Sequence, residues 1–200
     1  MEFIERSILP RYAAFDSAHN MEHVLSVIKA SGALAQQLGA DEDMCYVIAA
    51  YHDLGLEGPR AIHHITSGKI MRSDKRLERW FSPTQIEVMI QAVEDHRASA
   101  SRAPRSIYGK IVAEADRDLS PSIVFRRTIL YGIEHYPEKD KQWQWQRFKE
   151  HMMQKYSTAG YIRLWIPGSE NEKNLTQLRE IIGKEQELRK HFEGIFDNLK

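Results

Sequence analysis

His19, His23, His52-Asp53, His63-His64, His96 and Asp116 follow one another along the first part of a 200-residue chain, and they are the residues best equipped for chemistry. Neutral imidazole nitrogens and carboxylate oxygens without thiolates form a donor set suited to Mn²⁺, Fe²⁺, Zn²⁺ or Ni²⁺, and to Mg²⁺ where water supplies the remaining oxygens. A divalent ion with open positions would lower the pKa of a water toward about 7 and make hydroxide available near neutrality. Cys45 is the one cysteine. That excludes an internal disulfide and a cysteine-based zinc site.

Convergence requires each of these groups to point inward from its own element. Helical periodicity dominates the chain, and alternating runs bounded by turn residues are scarce, so the reading is all-α. Asp16 to Asn20 offers capping residues, after which Met21, Val24, Leu25, Ile28, Ala35 and Leu38 recur at helical spacing until Gly39. A second helix opens on Asp41 to Asp43, and its stripe of Cys45 and Ile48 runs into His52 before Gly55 and Pro59 break it. A His-Asp dipeptide means little by itself, but an ionisable ring on a core-facing stripe needs a partner. His23 lies beside the arc of Val27 and Leu34, His96 follows Met89 and Val93, and Asp116 follows Val112, so all can reach a common core. Further helices are expected near 60–73, 83–97, 106–117, 121–134, 139–157 and 172–198. His63 is expected to face solvent or to stand behind the ligands, because adjacent side chains on a helix diverge by about 100°. His135, His151 and His191 read as structural, and Trp143, Trp145 and Trp165 as packing for the C-terminal helices.

The pattern His23, His52-Asp53, Asp116 resembles the metal-binding signature of HD-superfamily phosphohydrolases. Ser17-Ala18-His19-Asn20 is similar to the turn that precedes the first ligand in that family, and Ala49-Ala50-Tyr51-His52-Asp53-Leu54-Gly55 to its ligand-bearing helix end. The resemblance implies that His23, His52, Asp53 and Asp116 hold one metal. His64, in His64-Ile65-Thr66-Ser67-Gly68, and His96, after Asp95, fall where two-metal members place additional ligands. It further implies a compact bundle of about eight or nine helices. The chain reads as one HD-like domain over residues 1–200, with a metal-binding core at 15–120 and C-terminal helices at 121–200 packing on it.

The reaction implied is hydrolysis of a phosphomonoester or phosphodiester, in a nucleotide or another small phosphorylated metabolite, with one or two divalent ions as cofactor. Asp53 is the expected bridging carboxylate, and Glu57, in a loop opened by Gly55 and Gly58, is placed to take or give a proton. Arg97, Arg102, Arg105, Lys110 and Arg117 bracket His96 and Asp116 as candidates for binding an anionic phosphate, and Lys69 joins them. His19 either contacts substrate, supports the ligands from behind or caps the first helix. A di-iron oxygenase of the same fold and a catalytically silent binding module are the rival readings.

Composition narrows the partners. The 28 Lys and Arg balance the 28 Asp and Glu, so no long-range field favours nucleic acid or an anionic membrane, and no motif points to sequence-specific nucleic-acid binding. No apolar run approaches the roughly 20 residues of a membrane span, and the opening Met1-Glu2-Phe3-Ile4-Glu5-Arg6 lacks the pattern of a secretory leader. A cytoplasmic protein is expected. The alternating charges of 170–191 form a helix face that a homodimer could use.

Overall fold

The computed structural model describes residues 1–16, 19–99 and 102–199; Ser17 and Ala18 of the turn before His19 lie outside the described residues. Among the described residues all regular structure is helical, with no strand. The chain divides into two compact units, Met1–Asp116 and Arg117–Lys200.

The first unit holds α1 (Met21–Leu38), α2 (Glu42–Tyr51), α3 (His63–Ser73), α4 (Pro83–Asp95) and α5 (Ile107–Ala115), preceded by short helical turns over Ile4–Ile8 and Leu9–Ala14. Side chains start most of these helices. Asn20 accepts from the His23 amide, Asp41 from Met44 and Ser106 from Gly109, and Ser82 and Gln85 form a reciprocal capping box ahead of Pro83. Gly39, at φ 64°, ends α1 in the left-handed conformation that glycine adopts without a Cβ penalty. α2 is the central helix: it touches α1, α3, α4 and α5, and Met44, Val47, Ile48, Ala49, Ala50 and Tyr51 are all buried.

Two 3-10 turns, Leu54–Glu57 and Arg60–Ile62, link α2 to α3. The link is tight at Gly55, whose amide donates to Ser67 Oγ at 2.8 Å. A Cβ there would overlap the His63 carbonyl and stand 2.7 Å from the Ser67 amide, so only glycine lets the turn lie against α3.

The second unit comprises α6 (Pro121–His135), α7 (Lys141–Tyr156), α8 (Glu170–Ile182) and α9 (Glu185–Asp197). Its core is aromatic, with Trp145 and Phe148 of α7 against Phe192 of α9 at centroid distances of 5.5 and 5.4 Å. The single helix expected over 172–198 is two helices. Gly183 caps α8 by donating to the Arg179 carbonyl, and Lys184 leaves helical geometry at φ −117°, ψ 87°. Glycine's low helix propensity places the break there.

Candidate metal centre

The residues that meet in the first unit sit at helix ends. His52 and Asp53 follow the last turn of α2, His96 caps α4 and Asp116 caps α5, whereas His23 lies in the first turn of α1 and His63 opens α3. Three helix C-termini therefore aim their negative dipole ends at the region that two carboxylates already occupy. Such a place favours a cation.

Two groups of ligand-type atoms result. In the first, His23 Nε2 lies 3.3 Å from His52 Nε2 and 3.2 Å from Asp116 Oδ1, and His52 Nε2 lies 3.2 Å from Asp53 Oδ2. In the second, His63 Nε2 lies 3.0 Å from His96 Nε2 and 3.4 Å from Asp53 Oδ1, with His96 Nε2 3.5 Å from the same oxygen. Asp53 belongs to both and gives each a different oxygen. Within each group one donor atom per residue falls within 4.8 Å of all the others, the spacing of atoms that could share an ion.

The tautomers support that reading. Nδ1 of His52 is 2.7 Å from the Ala49 carbonyl, Nδ1 of His96 is 2.6 Å from that of Val93, and Nδ1 of His63 is 2.8 Å from that of Arg60. A carbonyl can only accept, so Nδ1 of each ring carries a proton, and Nε2 is the nitrogen that each ring turns toward the cluster. Backbone partners of this kind fix ligand orientation in metal sites. Lone pairs and carboxylate oxygens brought this close repel one another unless positive charge stands among them. The donor set fits a divalent metal ion.

Electrostatics point the same way. Burial alone would lower His52 and His23, yet Asp53 and Asp116 hold His52 well above the ordinary histidine range and raise His23. Burial would raise the two carboxyls, but His52 and His23 hold Asp53 and Asp116 far below the usual carboxylate range. The acids call for positive charge, which a divalent ion held by the same atoms would supply. Burial, with His96 beside it, pushes His63 down to about 4, which keeps its ring neutral and available as a donor.

The other expected site residues are placed less uniformly. His64 belongs to neither group; its neighbour His63 holds the position that the resemblance assigned to it. The reason is geometric, since α3 begins at His63 itself, and His63 lies on the face of Ser67 and Met71 that turns into the core. Glu57 is exposed and accepts both Nε and Nη2 of Arg11 at 2.6 and 2.7 Å, a fork that lowers its pKa and weakens it as a base. Arg105 is engaged by Asp95, Glu94 and the Gln91 carbonyl, and Arg102 reaches Asp95 at 3.4 Å. These two arginines anchor the 102–105 segment on the buried Asp95. Arg97 donates to the Ala61 carbonyl, Lys69 is exposed, Lys110 is half-buried on α5, and Arg117, first residue of the second unit, is buried.

His19 does not cap α1, a task taken by Asn20. Its Nδ1 lies 2.6 Å from Asp16, its Nε2 accepts from Arg60 at 3.3 Å, and its ring meets His23 edge-on at 5.8 Å. Two residues that the sequence reading passed over stand at this site. Arg60 joins His19 at the edge of the first group, and the wholly buried Tyr12 touches the His52-Asp53 turn.

Comparison with known families matches residues 20–119 to the HD domain, and that match spans half of the chain and all of both groups. The chain belongs to the HD domain family. This is a family of metal-dependent hydrolases in general, in agreement with a His/Asp cluster fit for a divalent ion. Comparisons with curated proteins and with solved structures give no match. Among the described residues no helix of this HD domain protein is long and apolar enough to cross a membrane.

Proposed function

We propose that this HD domain protein is a phosphohydrolase that cleaves a phosphomonoester or phosphodiester of a nucleotide or another small phosphorylated metabolite. The observation that carries the reading is Asp53, which turns Oδ2 to His23 and His52 and Oδ1 to His63 and His96. On this reading His23, His52, Asp53 and Asp116 hold one divalent ion, and Asp53, His63 and His96 hold a second. Ions there would supply hydroxide near neutral pH and offset charge at phosphoryl oxygens. The chain's own part is to keep donor atoms in place. Nδ1 bonds hold the His52, His63 and His96 rings, and the Asn20 cap fixes the first turn of α1 beneath His23. At the edge, Arg60, held by His19 at 3.3 Å, offers guanidinium N–H groups to an anionic phosphate.

Elemental analysis of the purified chain, followed by anaerobic hydrolysis of nucleotides, dinucleotides and sugar phosphates with Mn²⁺, read as release of phosphate or of a phosphomonoester, tests the proposal. Hydrolysis that disappears on His52→Ala supports it. Oxygen uptake with a mixed-valent di-iron signal and no phosphoester hydrolysis would replace it with an oxygenase.

A further inference from the structure

We propose that Tyr12 is a positioning residue for the metal centre, with its hydroxyl tying the Ala50 carbonyl to the Asp53 amide and so setting how the His52-Asp53 pair presents its donor atoms. The inference rests on reading the two groups as metal sites. Tyr12 comes from the turn Leu9–Ala14, before the matched region of residues 20–119. Its hydroxyl donates to Ala50 O at 3.1 Å and accepts from Asp53 N at 3.3 Å.

The turn needs such a group. A continuing α-helix would send the Asp53 amide to the Ala49 carbonyl, four residues back, but that carbonyl receives Nδ1 of His52. Asp53 instead adopts φ −107°, ψ 3°, outside helical geometry, and its amide turns to Tyr12. A buried amide without a partner is costly, so the hydroxyl stabilises a backbone conformation in which adjacent residues 52 and 53 aim at the same cluster. The Tyr12 ring is fully buried, meets Phe15 edge-on at 5.3 Å and stacks at 6.4 Å from His52. The neighbouring Arg11 grips Glu57 at the far end of the following turn. The N-terminal segment thus clasps the ligand-bearing turn on both sides.

Tyr51 is an internal control. It too is a buried tyrosine with a bonded hydroxyl, but that hydroxyl donates to Asp74 at 2.6 Å, outside both groups. The experiment measures Mn²⁺ affinity by competition with a fluorescent chelator on the full chain of wild type, Tyr12→Phe and Tyr51→Phe, with metal-free melting followed by circular dichroism. Affinities are compared per folded molecule, so loss of fold does not pass for loss of ligand geometry. Tyr12→Phe is expected to bind Mn²⁺ ~10-fold more weakly, the scale of groups that orient ligands, while Tyr51→Phe binds as wild type. Equal affinity of Tyr12→Phe and wild type, or an equal loss in both variants, overturns the inference and leaves the metal reading standing. A wild-type chain that takes up no Mn²⁺ overturns both.

Discussion

Nε2 of His63 and Nε2 of His96 lie 3.0 Å apart, although the Nδ1 protons of both rings are committed to backbone carbonyls. Nε2 is therefore the nitrogen that each ring presents to the other and to the second group. Both nitrogens converge on Asp53 Oδ1, a carboxylate oxygen 3.4 and 3.5 Å away. Positive charge among these three atoms would favour the arrangement, and the proposed function places a second ion there.

The pair leads to a discriminating substitution. His63→Ala is expected to remove about one equivalent of bound metal per chain while the first group keeps its own, because His23, His52 and Asp116 are untouched. His64→Ala is expected to leave metal content unchanged, since His64 contributes to neither group. Elemental analysis after gel filtration reads both. Loss of metal in His64→Ala with full retention in His63→Ala would reverse the assignment.

Metal removal should also register in stability. A ligand that binds only the folded chain at a hundred times its dissociation constant adds about 2.7 kcal/mol, which corresponds to a melting shift of about 10 °C for a unit of this size. A bound ion would add to the stability of the folded chain, so treatment with EDTA should lower the melting temperature, and Mn²⁺ should restore it. Scanning calorimetry checks this; superimposable traces with and without chelator would argue that nothing is held between His23 and Asp116.

How much of this was legible in the residues depends on how local each signal was. His52, His96 and Asp116 could be placed because each ends an apolar stripe, and the structure puts each at the end of its helix. His63 and His64 could not be told apart by spacing alone, since the choice turns on where α3 starts; the face shared by His63, Ser67 and Met71 was the signal that could have decided it. The break at Gly183 was masked by a charge pattern continuous across it. Tyr12 with Asp53, and Arg11 with Glu57, are partners across 41 and 46 residues, and no periodicity reports pairs that far apart.

The second of those pairs makes a prediction about Glu57. Both carboxylate oxygens are taken by Arg11, which lowers the pKa and leaves a poor proton acceptor. Glu57→Gln is therefore expected to keep turnover within about threefold and to cost no more than ~1 kcal/mol, the range of partly exposed ion pairs. Steady-state kinetics and a urea melt decide it. A loss of 100-fold or more would return Glu57 to the role of proton carrier.

The last prediction concerns acid stability of the second unit and the half-buried His151 on α7. Burial, followed by the positive charges of Lys155, Arg147 and Arg127, pushes its ring down to about 4. In the unfolded chain the same ring titrates near 6.5, so between about 6.5 and 4 the unfolded state holds a proton that the folded state does not. Stability of this unit should be fully present above that window and should fall as pH falls through it. Trp143, Trp145 and Trp165 lie in the second unit and only Trp80 in the first, so tryptophan fluorescence in urea reports mainly the unit in question. His151→Gln cannot take up the proton and should lose less stability between pH 7.5 and pH 5 than wild type. An identical loss in the two proteins would assign the acid sensitivity to other groups.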